Sequence, residues 1–348
     1  MRMRRSFRTR NDQNEHAEGG KKIMNASMMI KSVMTGTIAL TLAACGSSSA
    51  AAASSAAAGT EAAASTSAAA GEGKYDYLLD TSGLEFPEVD TSNADGVLKK
   101  VLDEGVLTIA TSPDYPPNEW IEDDGTVYGS EMMLAKYIAD ALGVDLRIET
   151  MDFSGTLTAV DTGKVDMAVS GYGWKKDREE AYELTIGYEG DPEKDYGHTL
   201  ITTAANEGKF TSLEDFVGTH IMAQATSLQE MYVQDEILSL DTDGTTTYEP
   251  VATLDQAILG LASGKCDAVA LDEHTAENYV EQSNGSFVLT NVMFDLTPYG
   301  DKQGNVSAIK KGETSMKDAV NTIIQFVNDK GYYQEWYTQA KAASGETE

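Results

Sequence analysis

The sequence predicts an α/β fold with two domains of similar construction, and two observations lead to this prediction. Patterns typical of buried strands and of amphipathic helices alternate along the chain, as they do in α/β proteins with parallel sheets. A unit consisting of a helix, a glycine turn and a short apolar strand also occurs twice, about one hundred residues apart. Two copies in equivalent surroundings indicate two related domains.

The alternation is clearest between residues 106 and 151. Residues 106–111 form an apolar run of strand length, and residues 146–151 alternate between apolar and polar side chains, as a strand does. Between them, apolar residues at helical spacing predict a helix over residues 132–142. Ser130 is its expected N-cap and Gly143 its expected stop, so the region is predicted as strand, helix, strand.

The repeated unit covers residues 157–169 and again residues 258–269. In both copies an amphipathic helix ends at a glycine, and the chain turns through a Gly-Lys-x-Asp sequence into an apolar strand. Open α/β sheets bind their ligands beyond the carboxyl ends of the strands. The residues just after the two strands, 170–173 and 271–272, are therefore candidate ligand-binding residues.

The composition excludes some classes of partner. The chain has 348 residues, 41% of them hydrophobic, and its 56 acidic and 26 basic residues give a net charge of −30. Such an acidic chain is repelled by phosphate groups, so no nucleic-acid partner is expected. Its two cysteines, Cys45 and Cys266, cannot build a disulfide framework. The sequence has no zinc-binding spacing and no complete calcium loop, so neither a metal nor a cofactor is expected.

The N-terminal region is predicted to direct and anchor the protein. Residues 32–44 are an apolar run of signal-peptide length behind Lys31, too short to span a membrane. The following Leu-Ala-Ala-Cys sequence resembles a bacterial lipobox, which predicts a lipoprotein signal peptide over residues 1–44 and an acylated, palmitate-carrying Cys45. The alternative is a buried helix with a free cysteine. Translation from Met24 or Met28 is also open.

Three further segments are predicted to lie outside the two domains. Residues 45–74 are rich in alanine, serine and glycine without an apolar stripe, so they are predicted to be a flexible tether. Residues 75–96 are interpreted as a lead-in segment and residues 342–348 as a tail. The prediction is a folded body on a lipid-anchored tether.

Several segments, taken in order, carry a resemblance to a known family. They are residues 110–117, 151–155, 163–171 with Arg178, 217–228, 264–272 and 331–336. Their order and spacing over residues 97–341 resemble the extracellular solute-binding proteins of family 3, the polar amino-acid receptors of ABC importers.

The resemblance implies a type II periplasmic-binding-protein fold, or Venus flytrap, in which two lobes close on a ligand about a hinge. Each lobe is expected to be a mostly parallel sheet flanked by helices. Lobe 1 would consist of residues 97–201 and 294–341, and lobe 2 of residues 202–293. The chain would cross between the lobes near residues 199–203 and 291–294.

The resemblance also implies two charged ligand anchors. Arg178 matches the arginine that holds the ligand carboxylate, a role that suits the donor fork of a guanidinium. Its alternative is a surface ion pair with Asp177 or Glu179. Asp272 matches the acidic residue that binds the ligand ammonium, and it is also a candidate N-cap for the helix that follows. Together they predict a cleft complementary to a zwitterion.

The remaining predicted ligand-binding positions are implied by the same resemblance, with core packing or helix capping as the alternative for several. Aromatic rings are expected to sandwich the ligand side chain, and a loop before a predicted helix over residues 228–240 is expected to hold the carboxylate. Gly173 stands where the family usually has Ser or Thr, and Thr226 where glycine is common. The positions are Ser112, Tyr115, Phe153, Gly171, Gly173, Thr226 and Ser227.

The function that follows from the resemblance is that of a substrate-binding lipoprotein of an ABC importer. It is expected to capture a free, polar L-amino acid and deliver it to a membrane permease with its ATPase subunit, without catalysis. A monomer is expected at the cell surface or periplasmic face, held to the membrane by its lipid alone. Two alternatives remain open: a dehydratase-like enzyme acting on small acids, and a sensor domain for a separate signalling protein.

Overall fold

A computed structural model describes residues 74–122, 124–191, 197–299 and 304–344. The predicted signal peptide, the predicted lipidation site Cys45, nearly all of the predicted tether and residues 345–348 of the tail lie outside the described residues. Within the described part of the chain, every helix is too short or too polar to cross a bilayer.

Lobe 1 is built on a five-stranded sheet. Its strands are β1 (Val106–Thr111), β5 (Asp145–Thr150), β6 (Met167–Gly173), β7 (Tyr182–Leu184) and β13 (Asn305–Lys310), in the order β5-β1-β6-β13-β7. A small antiparallel sheet contains β2 (Asp114–Tyr115), β3 (Glu119–Ile121) and β4 (Val127–Tyr128). The helices are α1 (Gly96–Glu104), α2 (Ser130–Leu142), α3 (Phe153–Asp161), α4 (Lys176–Ala181), α8 (Thr314–Lys330) and α9 (Tyr332–Ala343).

Lobe 2 has a second five-stranded sheet of matching design. Its strands are β8 (His198–Thr203), β9 (His220–Gln224), β10 (Thr247–Val251), β11 (Ala268–Asp272) and β12 (Phe287–Met293), in the order β10-β9-β11-β8-β12. The helices are α5 (Leu228–Tyr232), α6 (Leu254–Ala262) and α7 (Glu273–Gln282), and α5 continues through a π-helical turn, Val233–Ile237, into a 3-10 turn, Leu238–Leu240. Further 3-10 turns are Ala204–Asn206, Leu213–Phe216 and Thr297–Tyr299.

The strand directions repeat between the two sheets. In lobe 1, β1 is parallel to β5 and β6, and β13 is antiparallel to β6. In lobe 2, β9 is parallel to β10 and β11, and β8 is antiparallel to β11. The predicted two-lobed α/β fold is therefore confirmed, but the expectation of mostly parallel sheets is wrong: each sheet combines a parallel half with an antiparallel half, because the strand that enters from the other lobe runs against its neighbours.

The Gly-Lys-x-Asp repeat has the same geometry in both lobes. Gly163 and Gly264 follow α3 and α6 and both adopt the left-handed region, with φ of 69° and 71°. The aspartate of each turn then accepts a hydrogen bond from the first part of the neighbouring central strand: Asp166 from Thr108 N at 2.8 Å and Asp267 from His220 N at 2.9 Å. The repeat thus joins each helix turn to the start of a central strand.

One predicted helix start differs in the structure. Ser130 is the first residue of α2, and its N-cap is Gly129 with φ of 130°. A Cβ atom at residue 129 would lie 1.9 Å from the carbonyl oxygen of Asn118, so only glycine allows this close approach. The predicted Ser130 cap is therefore wrong, whereas the predicted stop at Gly143 is confirmed by its left-handed conformation.

The lead-in segment packs against lobe 1. Tyr75 and Leu78 are buried in the larger apolar cluster of lobe 1, between the segment, α1, α2 and the C-terminal helices. The Tyr137 hydroxyl of α2 donates to the Glu85 carbonyl at 2.5 Å, and the Phe86 ring stacks on Tyr137 with centroids 4.9 Å apart. The segment therefore covers a face of lobe 1.

The chain passes between the lobes at places other than those expected. β8 pairs with β11 and β12, so residues 198–201, which were assigned to lobe 1, belong to the sheet of lobe 2. Phe294 and Leu296, also assigned to lobe 1, pack in an apolar cluster of lobe 2. The passages lie before His198 and after Tyr299. Sequence spacing locates a crossing only approximately because it does not reveal strand pairing.

Candidate functional site

A cavity of about 70 Å³ lies between the two lobes, at the carboxyl ends of β6 and β9. Lobe 1 contributes most of its lining, and lobe 2 contributes His198 at the start of β8, the end of β9 and the start of α5 with the loop before it. The lining residues are Asp114, Tyr115, Glu119, Phe153, Ser170, Gly171, Gly173, Arg178, His198, Gln224, Ser227, Leu228, Gln229 and Asn305. Six of the nine predicted ligand-binding residues are among them.

Arg178 of α4 is held in a fixed position at one end of the cavity. Its guanidinium lies over the rings of Tyr172 and Phe153, at 5.0 and 5.9 Å from their centroids. Nη1 donates to the Gly173 carbonyl at 2.5 Å, and Nη2 donates across the cleft to the Thr226 carbonyl at 3.1 Å. With only 4% of its surface exposed, Arg178 is not in the surface ion pair that was the alternative.

Two glycines let the walls of the cavity approach closely. Gly171 has φ of 55°, and a Cβ atom there would lie 2.7 Å from the ring of Tyr115. At Gly173 a Cβ atom would lie 2.4 Å from Leu228 Cδ1 of lobe 2. A Ser or Thr at residue 173 would push Leu228 aside. Gly173 therefore lacks the side-chain hydroxyl expected from the family resemblance, but it allows a closer contact between the lobes.

The loop before α5 presents backbone groups to the cavity. Ser227 is the N-cap of α5, and its hydroxyl accepts from Glu230 N at 3.1 Å, so the capping alternative is correct. Thr226 has φ of 66°, a conformation that a β-branched residue rarely adopts. Its N–H donates to Glu230 Oε2 at 2.5 Å. Glycine would adopt this conformation without strain, which agrees with the glycine that the family resemblance implies here.

Asp272 lies at the carboxyl end of β11 and caps α7. Its Oδ1 accepts from Thr275 N at 3.0 Å, so the capping alternative holds here too. The carboxylate also lies close to Tyr115. Burial raises the pKa of the Tyr115 phenol well above the usual value, and the nearby negative charge of Asp272 is the second cause of this shift. Asp272 is therefore both a helix cap and a neighbour of a cavity wall.

A network of acids and hydroxyls forms the lobe 1 side of the cavity. Ser112, which is predicted to bind ligand, lies behind the lining and donates from Oγ to Asp114 Oδ1 at 2.9 Å. Ser170 Oγ donates to Glu119 Oε1 at 3.1 Å, while Glu119 Oε2 has no hydrogen-bond partner among the described residues. Glu131 of α2 accepts from Asn305 Nδ2 at 2.9 Å and from the Tyr188 hydroxyl at 2.8 Å.

Burial shifts the titration of these acids. It raises the pKa of Glu119 well above the usual value, with repulsion from Glu131 as a further cause. It raises the pKa of Glu131 to about 7 and that of Asp114 to about 6. Glu119 is therefore held in its protonated form unless a positive charge enters, whereas Asp114, with three donors and a pKa of about 6, is ionised at neutral pH. Within the described residues, no three His, Cys, Asp or Glu side chains are grouped so that they could hold a metal ion.

Comparison with known proteins places this geometry in a family. The profile of the bacterial extracellular solute-binding proteins, family 3, matches residues 107–340, about two-thirds of the chain. The chain belongs to this family.

Individual solute-binding proteins and an enzyme are also similar to this chain. L-cystine-binding protein TcyJ of Escherichia coli K12 is 24% identical over 240 residues, covering 69% of this chain and 84% of its own. The structure of the amino acid ABC transporter substrate-binding protein AbpA from Streptococcus pneumoniae, bound to L-arginine, aligns with a TM-score of 0.63 at 26% identity, covering 72% of this chain and all of AbpA. Cyclohexadienyl dehydratase of Pseudomonas aeruginosa is 28% identical over 117 residues, only 34% of this chain and 42% of the enzyme.

Sequence reasoning on this solute-binding protein missed the acidic wall. Asp114 and Glu119 lie within or beside the segment that carries the family resemblance, yet only the apolar and small residues there were singled out. A local signal was limited: Glu119 is the first residue of β3, where strand alternation places it on the same side as the apolar Ile121, and Glu131 lies in the first turn of α2. Gln224 and Asn305 gave no comparable signal, since their partners come from distant parts of the chain.

Proposed function

We propose that this protein is the substrate-binding component of an ABC importer and that its ligand is a free amino acid with a cationic side chain. One observation carries the second part of the proposal: Glu119 is 1% exposed, lines the cavity, and has an oxygen without a hydrogen-bond partner among the described residues. A buried carboxyl group of this kind is stabilised by a cation that enters beside it.

The ligand's α-carboxylate is assigned to Arg178. The guanidinium is already positioned by Tyr172, Phe153 and the Gly173 carbonyl, so little further ordering is needed when an anion binds. Its planar fork matches two carboxylate oxygens. The Ser227 hydroxyl, which accepts from Glu230 N and keeps its own proton to donate, provides a further donor on the lobe 2 side.

The α-ammonium is assigned to Asp272 and the Gly171 carbonyl, as the family resemblance implies. Tyr115 lies against Gly171 and close to Asp272, and Phe153 lies near Arg178, so the two aromatic rings flank the space between the charged anchors. The side chain would then extend toward Glu119. The arginine bound to AbpA supports this charge pattern, whereas the similarity to TcyJ makes cystine the principal competing ligand.

The proposal predicts that affinity depends on pH. Burial raises the pKa of Glu119 in the ligand-free protein, so its carboxyl group is protonated there at pH values where it would ordinarily be ionised. A cationic side chain favours the ionised form, and binding therefore releases a proton. Affinity for L-arginine should rise with pH until the pH exceeds the raised pKa of Glu119.

Calorimetric titration with L-arginine, L-lysine, L-ornithine, L-glutamine and L-cystine tests the proposal. L-Arginine should bind most tightly of the five, and Glu119→Gln should weaken its binding at least about tenfold and reduce the pH dependence, of which Glu131 and Asp114 keep a part. Arg178→Ala should abolish binding of every amino acid. Preference for L-glutamine or L-cystine, with Glu119→Gln within twofold of wild type, would rule out a cationic ligand.

An enzymatic function is the second candidate, and the short match to cyclohexadienyl dehydratase is what favours it. The Glu119 and Glu131 carboxyl groups, with raised pKa values, could supply a proton to a bound acid. The longer similarities are to transport proteins, so we propose binding without turnover. Release of water from a small cyclic acid by the purified protein would favour the enzyme instead.

We also propose that Cys45 carries a lipid and that the mature, monomeric protein is anchored on the outer side of the cell membrane, or on its periplasmic face. The lipobox-like Leu-Ala-Ala-Cys sequence and the extracellular character of the family support this. In cells fed a labelled fatty acid, wild-type protein should take up the label and Cys45→Ser should not. Label that persists on the variant would contradict lipidation at this residue.

A further inference from the structure

Asp114 makes contacts that differ from those of the proposed ligand anchors. It lies on β2 of lobe 1 and is 8% exposed. Within its own lobe, Oδ1 accepts from Ser112 Oγ at 2.9 Å, which fixes the orientation of the carboxyl group. The second oxygen, Oδ2, is directed at lobe 2.

Three elements of lobe 2 donate to Asp114. Gln224 Nε2, at the end of β9, donates to Oδ2 at 2.9 Å, and the main-chain N–H of Leu254 donates to the same oxygen at 2.6 Å. The Tyr279 hydroxyl of α7 lies 3.3 Å from the Asp114 carbonyl and 3.2 Å from Asp255 Oδ1, and its single proton is donated to one of these acceptors at a time. A single residue of lobe 1 thus contacts β9, α6 and α7, and separating the lobes would break all three contacts.

The contact with Leu254 has a particular electrostatic basis. Leu254 is the first residue of α6, whose N-cap Thr253 already accepts from Gln256 N at 3.3 Å. The first N–H groups of a helix lack partners within it and carry partial positive charge. In the closed form the Asp114 carboxyl group of lobe 1 accepts from one of these donors, the Leu254 N–H. Closure therefore gives an unpaired N–H group at the start of α6 a hydrogen-bond acceptor.

The same contacts need no ligand. Each donor to the Asp114 side chain is a protein group, and the Arg178 contact with the Thr226 carbonyl is likewise made within the protein. We propose that Asp114 is a positioning residue that latches the cleft shut, so that the ligand-free protein populates a closed form and bound ligand leaves slowly. The ligand anchors confer recognition, and Asp114 sets the balance between open and closed lobes.

Interlobe distances measured without ligand test the latch. Spin labels can be placed on α1 of lobe 1 and in the loop before β10 of lobe 2, with Asp103→Cys and Asp243→Cys in a full-length Cys45→Ser chain. Cys266 is buried and should remain unlabelled. Wild-type Asp114 should give a distance distribution with a closed component, and Asp114→Ala should lose that component. A wild-type distribution with only the open distance would overturn the proposal.

Two variants serve as comparisons. Asp124→Ala removes an exposed aspartate from the turn between β3 and β4, where its carboxylate accepts from Thr126 N at 2.9 Å, and it should leave the distances unchanged. Gln224→Leu removes one donor and should reduce the closed component in the same direction as Asp114→Ala. If Asp114→Ala does not fold, Gln224→Leu decides: an unchanged distribution for that variant would contradict the latch.

The ligand dissociation rate provides an independent readout, with L-arginine as the probe. Because a hydrogen bond to a charged group contributes more than an ordinary one, Asp114→Ala should speed dissociation at least about tenfold. A rate within twofold of wild type would overturn the slow-release part of the proposal. Should L-arginine fail to bind at all, the proposed ligand is wrong, while the ligand-free distances still decide the latch.

Discussion

Lobe 1 and lobe 2 contain the same helix-turn-strand unit, yet the aspartate that ends the turn has different surroundings in the two. In lobe 1, the Asp166 side chain is 2% exposed and accepts from Thr108 N and from Lys100 Nζ of α1, both at 2.8 Å. In lobe 2, Asp267 accepts from His220 N at 2.9 Å and is half-buried. The bond from the aspartate to the strand N–H is thus buried beneath α1 in lobe 1 but half-exposed to solvent in lobe 2.

The covering of lobe 1 comes from segments at the two ends of the folded body. The lead-in segment, α1, α8 and α9 all contribute buried residues to one large apolar cluster in lobe 1. The clusters of lobe 2, one on each face of its sheet, are smaller. A repeated sequence motif therefore specifies local geometry, but its contribution to stability depends on what packs over it.

The largest effect should come from the lead-in segment. Leu78 is 3% exposed in the lobe 1 cluster, so Leu78→Ala should reduce the free energy of unfolding by about 3 kcal/mol, by lost burial and a residual cavity. Urea denaturation measures this change. The matched control is Leu240→Ala in lobe 2, whose leucine is exposed and should cost less than about 0.5 kcal/mol. Equal losses would mean that the lead-in segment is not part of lobe 1.

Substitution of the two equivalent aspartates, Asp166 and Asp267, should give the next largest losses of stability, and the two losses should be unequal. Asp166→Ala leaves a buried N–H of β1 without its acceptor and should cost about 2 kcal/mol. Asp267→Ala should cost about 1 kcal/mol, because water can reach the half-buried N–H of His220. Chemical denaturation of both variants under one condition tests the difference. A larger loss for Asp267→Ala would reverse the comparison.

The smallest effect should come from the ion pair that α1 adds in lobe 1. The Lys100 side chain is partly exposed, so its attraction for Asp166 is screened by solvent and salt. Lys100→Ala should cost less than about 1 kcal/mol at low ionic strength and close to nothing in 1 M salt. If Lys100→Ala cost as much as Asp166→Ala, the ion pair and not the backbone bond would explain the difference between the lobes.

Local sequence patterns predicted those parts of the molecule that local physics decides. The strand at residues 106–111, the stop of α2 at Gly143, and the caps at Ser227 and Asp272 all depend on residues close together in the chain. The Ser130 cap failed because a distant carbonyl, that of Asn118, excludes any side chain at residue 129. The lobe boundaries failed for the same kind of reason, since strand pairing joins residues far apart.

The candidate site divides in a similar way. The family resemblance supplied Arg178 and the glycines around it, because those positions lie in recognisable local motifs. It did not supply the contact between Asp114 and Leu254, whose partners are 140 residues apart and in different lobes. Nor did it indicate that Glu119 and Glu131 are buried near each other, which depends on how α2 and β3 pack.

The Arg178 contact with the Thr226 carbonyl limits the net free energy that a ligand carboxylate gains by binding to the guanidinium. In the closed form, the guanidinium already donates to two carbonyl oxygens, those of Gly173 and Thr226. Thr226 has a left-handed backbone conformation that a threonine rarely adopts. A ligand carboxylate therefore does not meet a bare cation. Two of the five guanidinium N–H groups already have neutral acceptors, so a carboxylate that replaces either one gains only the difference between a charged and a neutral oxygen there. An amino acid amide, which lacks that charge, should therefore bind Arg178 more weakly than the free acid does.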